Sequence, residues 1–295
     1  MKQTERERIA EALRVYVSRY PSQNKAAASL TGVSAATVSA ILKGNHSVIS
    51  EDMWRNVDKQ VRPATVSKGW QIVETTAYNE MQAVLADAQL YGNVRWVVGD
   101  AGCGKTTAAR CYEASHRDVF RVLCSKDMRK SDFVREIARR VGIKTAGKRL
   151  REMLEATTDY IKQLDSPLLI FDEGDKLQDD VMHYFIDIYN HLEDYSGIVF
   201  LSTASIEHRI ARGVRNYKPG YAEIFSRIGR RYYELEPTAP NDVIAICQAN
   251  GLETQKTVNA VIKATNESDY DLRAVKSEIH RQKRMAAAEK MENEK

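Results

Sequence analysis

No apolar run in this chain approaches the ~20 residues that a helical membrane span requires. That excludes a helical membrane anchor as its organising feature. Cysteine is scarce. Cys103, Cys111, Cys124 and Cys247 stand apart, without the short paired spacings of a zinc site or a disulfide framework, and read as reduced thiols. The N-terminal residues from Lys2 to Arg8 are charged and contain no apolar signal core, so the expected location is cytoplasmic. No internal repeat is evident. What is present is an ordinary globular composition, 43% apolar and 28% charged over 295 residues, enough for one large domain or two smaller ones.

Net charge is only +4, but it is segregated. Residues 121–151 hold eleven basic and three acidic side chains, residues 165–195 nine acidic and one basic, and residues 207–231 seven basic and two acidic. Alternating blocks of this kind point to polyanion-binding surfaces beside a metal–nucleotide centre.

The most informative stretch is Gly99-Asp100-Ala101-Gly102-Cys103-Gly104-Lys105-Thr106. Two glycines bracket four residues and lead into Gly-Lys-Thr, the P-loop pattern. A strand-like Val94-Arg95-Trp96-Val97-Val98 precedes it, and helix formers from Thr107 onward follow. Glycines let backbone N–H groups converge on phosphate oxygens, and the helix N-terminus adds positive potential. Lys105 is expected on the β- and γ-phosphates, and the Thr106 hydroxyl on Mg²⁺. The bound groups expected are therefore ATP and Mg²⁺.

Leu168-Leu169-Ile170-Phe171-Asp172-Glu173 is a buried strand that delivers two carboxylates to its end. It predicts a Walker B element, with Asp172 in the metal shell and Glu173 orienting the attacking water. A further strand, Gly197-Ile198-Val199-Phe200-Leu201, ends at Ser202-Thr203, whose hydroxyls are placed to meet the γ-phosphate or the water. Arg227, with Arg230 and Arg231 as rivals, is a candidate for a trans-acting arginine. Arg273, in Tyr270-Asp271-Leu272-Arg273, is a candidate to close over the γ-phosphate.

Toward the N-terminus, Ile9, Leu13, Tyr16 and Val17 repeat at helical spacing, and Pro21 breaks the helix. Residues 24–42 then have a helix-turn-helix layout of the phage-repressor type. Small Ala28 is expected at the helix crossing, Gly32 at the turn and Ser34 at the cap, with Val33, Val38 and Ile41 facing inward. The outward residues of the second helix include neither Arg nor Asn nor Gln, so the helix suits backbone contact rather than base reading. Ser34, Thr37 and Lys43 are its candidate DNA contacts. The expected organisation is a helix-turn-helix domain at 1–60, a linker at 61–69, an α/β core at 70–237, and a C-terminal helical piece at 238–295 whose charged tail, from Arg281 on, is expected to fray.

In this order, the P-loop, Leu-Leu-Ile-Phe-Asp-Glu, the strand ending Ser-Thr, Phe-Ser-Arg-Ile and Asp-Leu-Arg resemble an AAA+ ATPase. With the N-terminal helix-turn-helix, the layout resembles the phage Mu transposition protein B family. The resemblance implies a three-layer αβα P-loop core around a parallel sheet. It places residues 99–107 and Arg273 on the nucleotide, Thr106 and Asp172 on the metal, Thr203 as sensor 1, Arg227 as finger and Arg273 as sensor 2. Sensor 1 in such proteins is often Asn, and Ser202-Thr203 stand there instead. It further implies ATP-dependent oligomers on double-stranded DNA, with little sequence preference, and a DDE transposase as partner. Lys126, Arg129, Lys130, Lys144, Lys148, Arg149 and Arg151 are the candidate DNA-facing residues of the core, whereas Arg135, Arg139 and Arg140 are expected to face solvent or a neighbour. The competing readings are a helicase-loader-like replication ATPase, a nucleotide-switched transcription regulator and a signalling switch.

Overall fold

The computed structural model describes residues 3–61 and 69–293, so the expected linker falls almost wholly outside the described residues. The first four helices are α1 (Gln3–Val17), α2 (Gln23–Ser29), α3 (Ala35–Leu42) and α4 (Glu51–Val61). Polar caps start the short ones. Ser22 Oγ accepts from the Lys25 amide and Ser34 Oγ from the Thr37 amide at 3.0 Å. Gly32 takes the left-handed φ of +70° that the α2–α3 turn needs. Ile9, Leu13, Ala27, Val38, Ile41, Trp54 and Val57 form the core of this module. Ala27 fills the crossing expected for Ala28, which is only half-buried: the α2 face that meets the core runs through Ala26 and Ala27.

The α/β core begins with α5 (Thr76–Tyr91) and continues β1 (Val94–Val98), α6 (Lys105–Ser115), β2 (Val119–Leu123), α7 (Lys130–Arg140), α8 (Leu150–Ile161), β3 (Leu168–Asp172), α9 (Asp179–Leu192), β4 (Gly197–Ser202), α10 (Ser205–Arg215), α11 (Tyr221–Arg227) and β5 (Tyr233–Glu234). The five strands are all parallel, in the order β2-β3-β4-β1-β5. Alternate residues of each strand feed two layers. Phe120, Phe171 and Phe200 pack on one face with α7–α11, and Ile170, Val199 and Leu201 pack on the other with α5 and α6. Leu169, Ile170, Phe171, Val199 and Phe200 are fully buried, each contributing about 1.5–3 kcal/mol. This is the three-layer αβα P-loop core with helical additions. Parallel register ends β1 at Val98 beside Ser202 of β4, and β3 ends at Asp172, so the loops after three strands share one sheet edge.

Helices α12 (Pro240–Ala249), α13 (Gln255–Thr265) and α14 (Leu272–Asn293) form a small cluster around Val243, Val261, Val275 and Ile279. Trp70 and Val73 pack on that cluster, and Gln71 exchanges hydrogen bonds with Asn250 at 2.9 and 3.1 Å. The strap at 70–73 therefore packs with the C-terminal helices. Within the described residues the tail is helical. α14 continues to Asn293, because Ala286, Ala287 and Ala288, with interspersed Glu and Lys, are strong helix formers.

The N-terminal helical module rests on the α/β core through α2 and the segment between α1 and α2. Tyr20 donates its hydroxyl to the Arg140 carbonyl at 3.0 Å, Arg139 donates to the Ser29 carbonyl at 2.9 Å, and the Lys25 ammonium lies 4.0 Å from the Tyr160 ring centroid. The Arg139 side chain thus meets a neighbouring element, while Arg140 offers its carbonyl and turns its guanidinium to Glu136 of its own helix. The start of α3 is exposed.

Candidate nucleotide site and basic surfaces

β1 runs straight into the glycine-rich loop. Gly102 and Gly104 have φ of +83° and +102°, and Gly104 caps α6. Lys105 folds back on the loop, donating to the carbonyls of Gly99 at 2.7 Å and Asp100 at 2.8 Å. Thr106 Oγ1 donates to Asp172 Oδ1 at 3.2 Å, so hydroxyl and carboxylate already share a position suited to a divalent cation. Beside them lies a cavity of about 500 Å³, lined by Ala101, Gly102, Gly104, Lys105, Thr106, Thr107, Asp172, Glu173, Ser202, Thr203 and Arg273. Cys103 does not line it. Its side chain packs into the core under the loop.

Burial shapes the acidic edge. Asp172 is buried and its second oxygen accepts from Arg121 Nη1 at 3.1 Å. The Arg121 guanidinium also lies 3.5 Å from Glu113. Glu173 is exposed and left-handed, at φ +58°, a conformation costing about 1–2 kcal/mol for a residue with a Cβ. It turns the chain out of β3 while Gly174 passes so close to Phe200 that a Cβ would stand 2.9 Å from the ring. Burial, and then the nearby carboxylates of Asp172, Glu173 and Asp175, push the Cys124 thiol far above its usual range, so this cysteine stays protonated.

The expected sensors divide. Ser202 Oγ accepts from Trp96 Nε1 at 2.7 Å, which ties it into the sheet. Thr203 is freer, at 2.9 Å from Ser205 Oγ and 3.4 Å from Asp175. Arg273 enters the cavity from the start of α14, whose Leu272 amide donates to the Gly102 carbonyl at 3.1 Å. Asp271 caps that helix and would clash with any Cβ on Gly102. Sequence reasoning missed Trp70, Ile72, Val73, Tyr78, Asp175 and Lys276, which also line the cavity. Their only sequence signal is a pair of aromatics shortly before the P-loop.

Arg227 is remote from this cavity. It donates to Asn190 at 2.9 Å and lies 5.1 Å from the Tyr189 ring, in a cleft with Asn93 and Val94 where the strands begin. Arg230 and Arg231 are exposed beyond it.

The chain matches the family model described as AAA domain over residues 91–210. It is 27% identical over 248 residues to the Mu-like prophage FluMu DNA transposition protein B of Haemophilus influenzae, covering 82% of this chain and 85% of that protein. It is 25% identical over 260 residues to the ATP-dependent target DNA activator B of Escherichia phage Mu, covering 84% and 79%. The protein of the same description from Escherichia phage D108 is 25% identical over 253 residues, covering 82% and 77%. These findings support a MuB-like AAA+ ATPase.

On the α/β core, the seven basic residues expected to face DNA separate into two groups. Lys126, Arg129 and Lys130 flank the start of α7, and Lys144, Lys148, Arg149 and Arg151 lie beyond its other end, about 16 Å away along an eleven-residue helix. All but half-buried Lys130 are exposed; Lys130 lies 5.9 Å from the Tyr184 ring, and Arg151 pairs with Glu155 at 2.7 Å. In the N-terminal module, Ser34 and Thr37 are held by the cap they form together at 2.9 Å, and Lys43 is exposed at the C-terminal cap of α3. No helix among the described residues is long and apolar enough to cross a membrane.

Proposed function

We propose that this chain is an ATP-hydrolysing protein of DNA transposition that assembles on duplex DNA, with little sequence preference, and activates a DDE-type transposase at the chosen target. The observation carrying this reading is that Lys105, Thr106, Asp172, Glu173, Thr203 and Arg273, spread over nearly 170 positions, line one cavity. Its volume and its donor set fit a nucleoside triphosphate with Mg²⁺. The names of the phage relatives, ATP-dependent target DNA activators, support the role in transposition.

The residues divide the work. Gly102 and Gly104 leave the loop amides unobstructed, and Lys105 exchanges its two carbonyl partners for phosphate oxygens. Thr106 and Asp172 would hold Mg²⁺, which would supply positive charge to the phosphates. Glu173 orients and deprotonates the attacking water. Thr203, resting on Asp175, reports the γ-phosphate, and Arg273 closes from α14. Arg227 lies far from its own cavity and so acts on the nucleotide of a neighbouring subunit, which makes the nucleotide a clip between subunits. Hydrolysis releases the assembly from DNA. The exposed start of α3, with Ser34, Ala35 and Ala36, contacts backbone rather than base edges.

The test is electron microscopy with ATP, with and without unrelated duplexes. Filaments that form on DNA support the proposal. Closed rings that form without DNA favour a helicase loader.

A further inference from the structure

Between β4 and β5 the chain forms a hairpin of α10 and α11 that the nucleotide site does not use. Residues 209–220 contain four basic side chains, Arg209, Arg212, Arg215 and Lys218, and no acid. Arg212 and Arg215 are one helical turn apart and exposed, and neither has a side-chain partner among the described residues. Lys218 comes only to 3.9 Å of Asp179. Tyr217 stands at the tip, 94% exposed, with a φ of +52°. The left-handed φ closes the C-terminal turn of α10, but a solvent-facing tyrosine side chain gains nothing there from packing.

The hairpin is closely packed and tied to the nucleotide site. Gly213 lets the Tyr221 ring pack so closely that a Cβ would stand 2.3 Å from it, and the turn is closed by the Lys218 amide on the Gly213 carbonyl at 2.9 Å. At its base Arg209 donates to the Asp175 carbonyl at 3.1 Å and to the Asp179 carboxylate. Asp175 in turn accepts from Thr203. Gln178, next to Asp179, holds the Lys126 carbonyl at 2.8 Å, so the hairpin adjoins the basic group at the start of α7.

We infer that the α10–α11 turn is a duplex-DNA contact, with Arg212, Arg215 and Lys218 on backbone phosphates and Tyr217 against the sugar-phosphate chain. This rests on the reading that the protein binds duplex DNA. Arginine and tyrosine both donate to phosphate oxygens, and unpaired guanidinium groups on a closely packed support match a polyanion of regular charge spacing. Through Arg209, Asp175 and Thr203 the contact reaches the hydrolytic centre.

The experiment measures binding of unrelated labelled duplexes, with ATP, across a salt series for the wild type and for R212A/R215A. The double substitution is expected to weaken binding tenfold or more and to lower the slope of log K against log salt by about 2, as for two lost phosphate contacts. Its melting temperature and DNA-free ATP hydrolysis stay unchanged. In parallel, the indole emission of a Tyr217→Trp variant, compared with the wild type under the same titration, shifts when duplex is added. If the wild type itself binds no duplex, the parent reading fails. If the wild type binds while R212A/R215A keeps the full slope and the Tyr217→Trp variant shows no added emission change, the inference fails alone. Loss of transposase stimulation with duplex binding intact also overturns it, and makes the tip a protein contact.

Discussion

Arg121 of β2 donates to Asp172 at the end of β3 at 3.1 Å, with both side chains buried. The acid expected to serve the metal is therefore held by a protein cation from below, while Thr106 approaches from above. Removing the guanidinium leaves a buried carboxylate without its partner. Arg121→Met is expected to lose about 3–5 kcal/mol of stability, read by urea unfolding. Mg²⁺ with a non-hydrolysable ATP analogue should raise the melting temperature of this variant more than that of the wild type, because the cation supplies the missing charge. Equal stabilisation of the two would show that Asp172 does not meet the metal.

His183 gives the stability a pH dependence. Its ring packs edge-on to Tyr221, 5.1 Å between centroids, and against Gly220. Burial lowers its pKa below the ordinary 6.5; Arg209 and Lys130 push the same way, and Asp179 and Asp180 oppose. The folded state favours the neutral ring, so the unfolded state binds the proton more readily. The contribution is present above pH 6.5 and is lost as pH falls below it toward the folded value. Thermal melting should fall as pH drops from neutrality through 6.5, and His183→Gln should fall less steeply. Parallel curves would contradict this assignment.

A trans-acting Arg227 makes a prediction about mixtures. Arg227→Ala should spare ATP binding and lower hydrolysis, by about a thousandfold if the arginine contributes as fully as in favourable cases. Lys105→Ala should lose nucleotide binding. Mixing the two variants lets an intact arginine face an intact cavity and should restore part of the activity. No recovery at any ratio would place the working arginine elsewhere, with exposed Arg230 and Arg231 the first to test.

The local motifs were legible because their chemistry is contiguous. A glycine loop between strand and helix, or two acids at the end of an apolar strand, can be read from neighbours in the chain. So could the cap at Ser34 and the turn at Gly32. Non-local pairings were not legible. Arg121 lies in mid-strand, and only the β2–β3 register brings it level with the end of β3. Trp70 and Val73 reach the cavity because they pack on C-terminal helices some 170 positions away. The sequence left Arg139 open between solvent and a neighbour, and only the docking of α2 decides for the neighbour. Ala28 misled because three successive alanines carry no phase, and one residue of rotation decides which is buried.

The central claim is that nucleotide state governs the hold on DNA. It is tested most directly by the dissociation rate of a labelled, unrelated duplex from the Glu173→Gln variant, with ATP and without. Losing the general base should slow hydrolysis by about a hundredfold or more while leaving the cavity able to bind. The account predicts that with ATP the variant keeps the duplex far longer than the wild type does, and that without nucleotide it releases it quickly. A variant that holds DNA no better with ATP than without it would contradict the account.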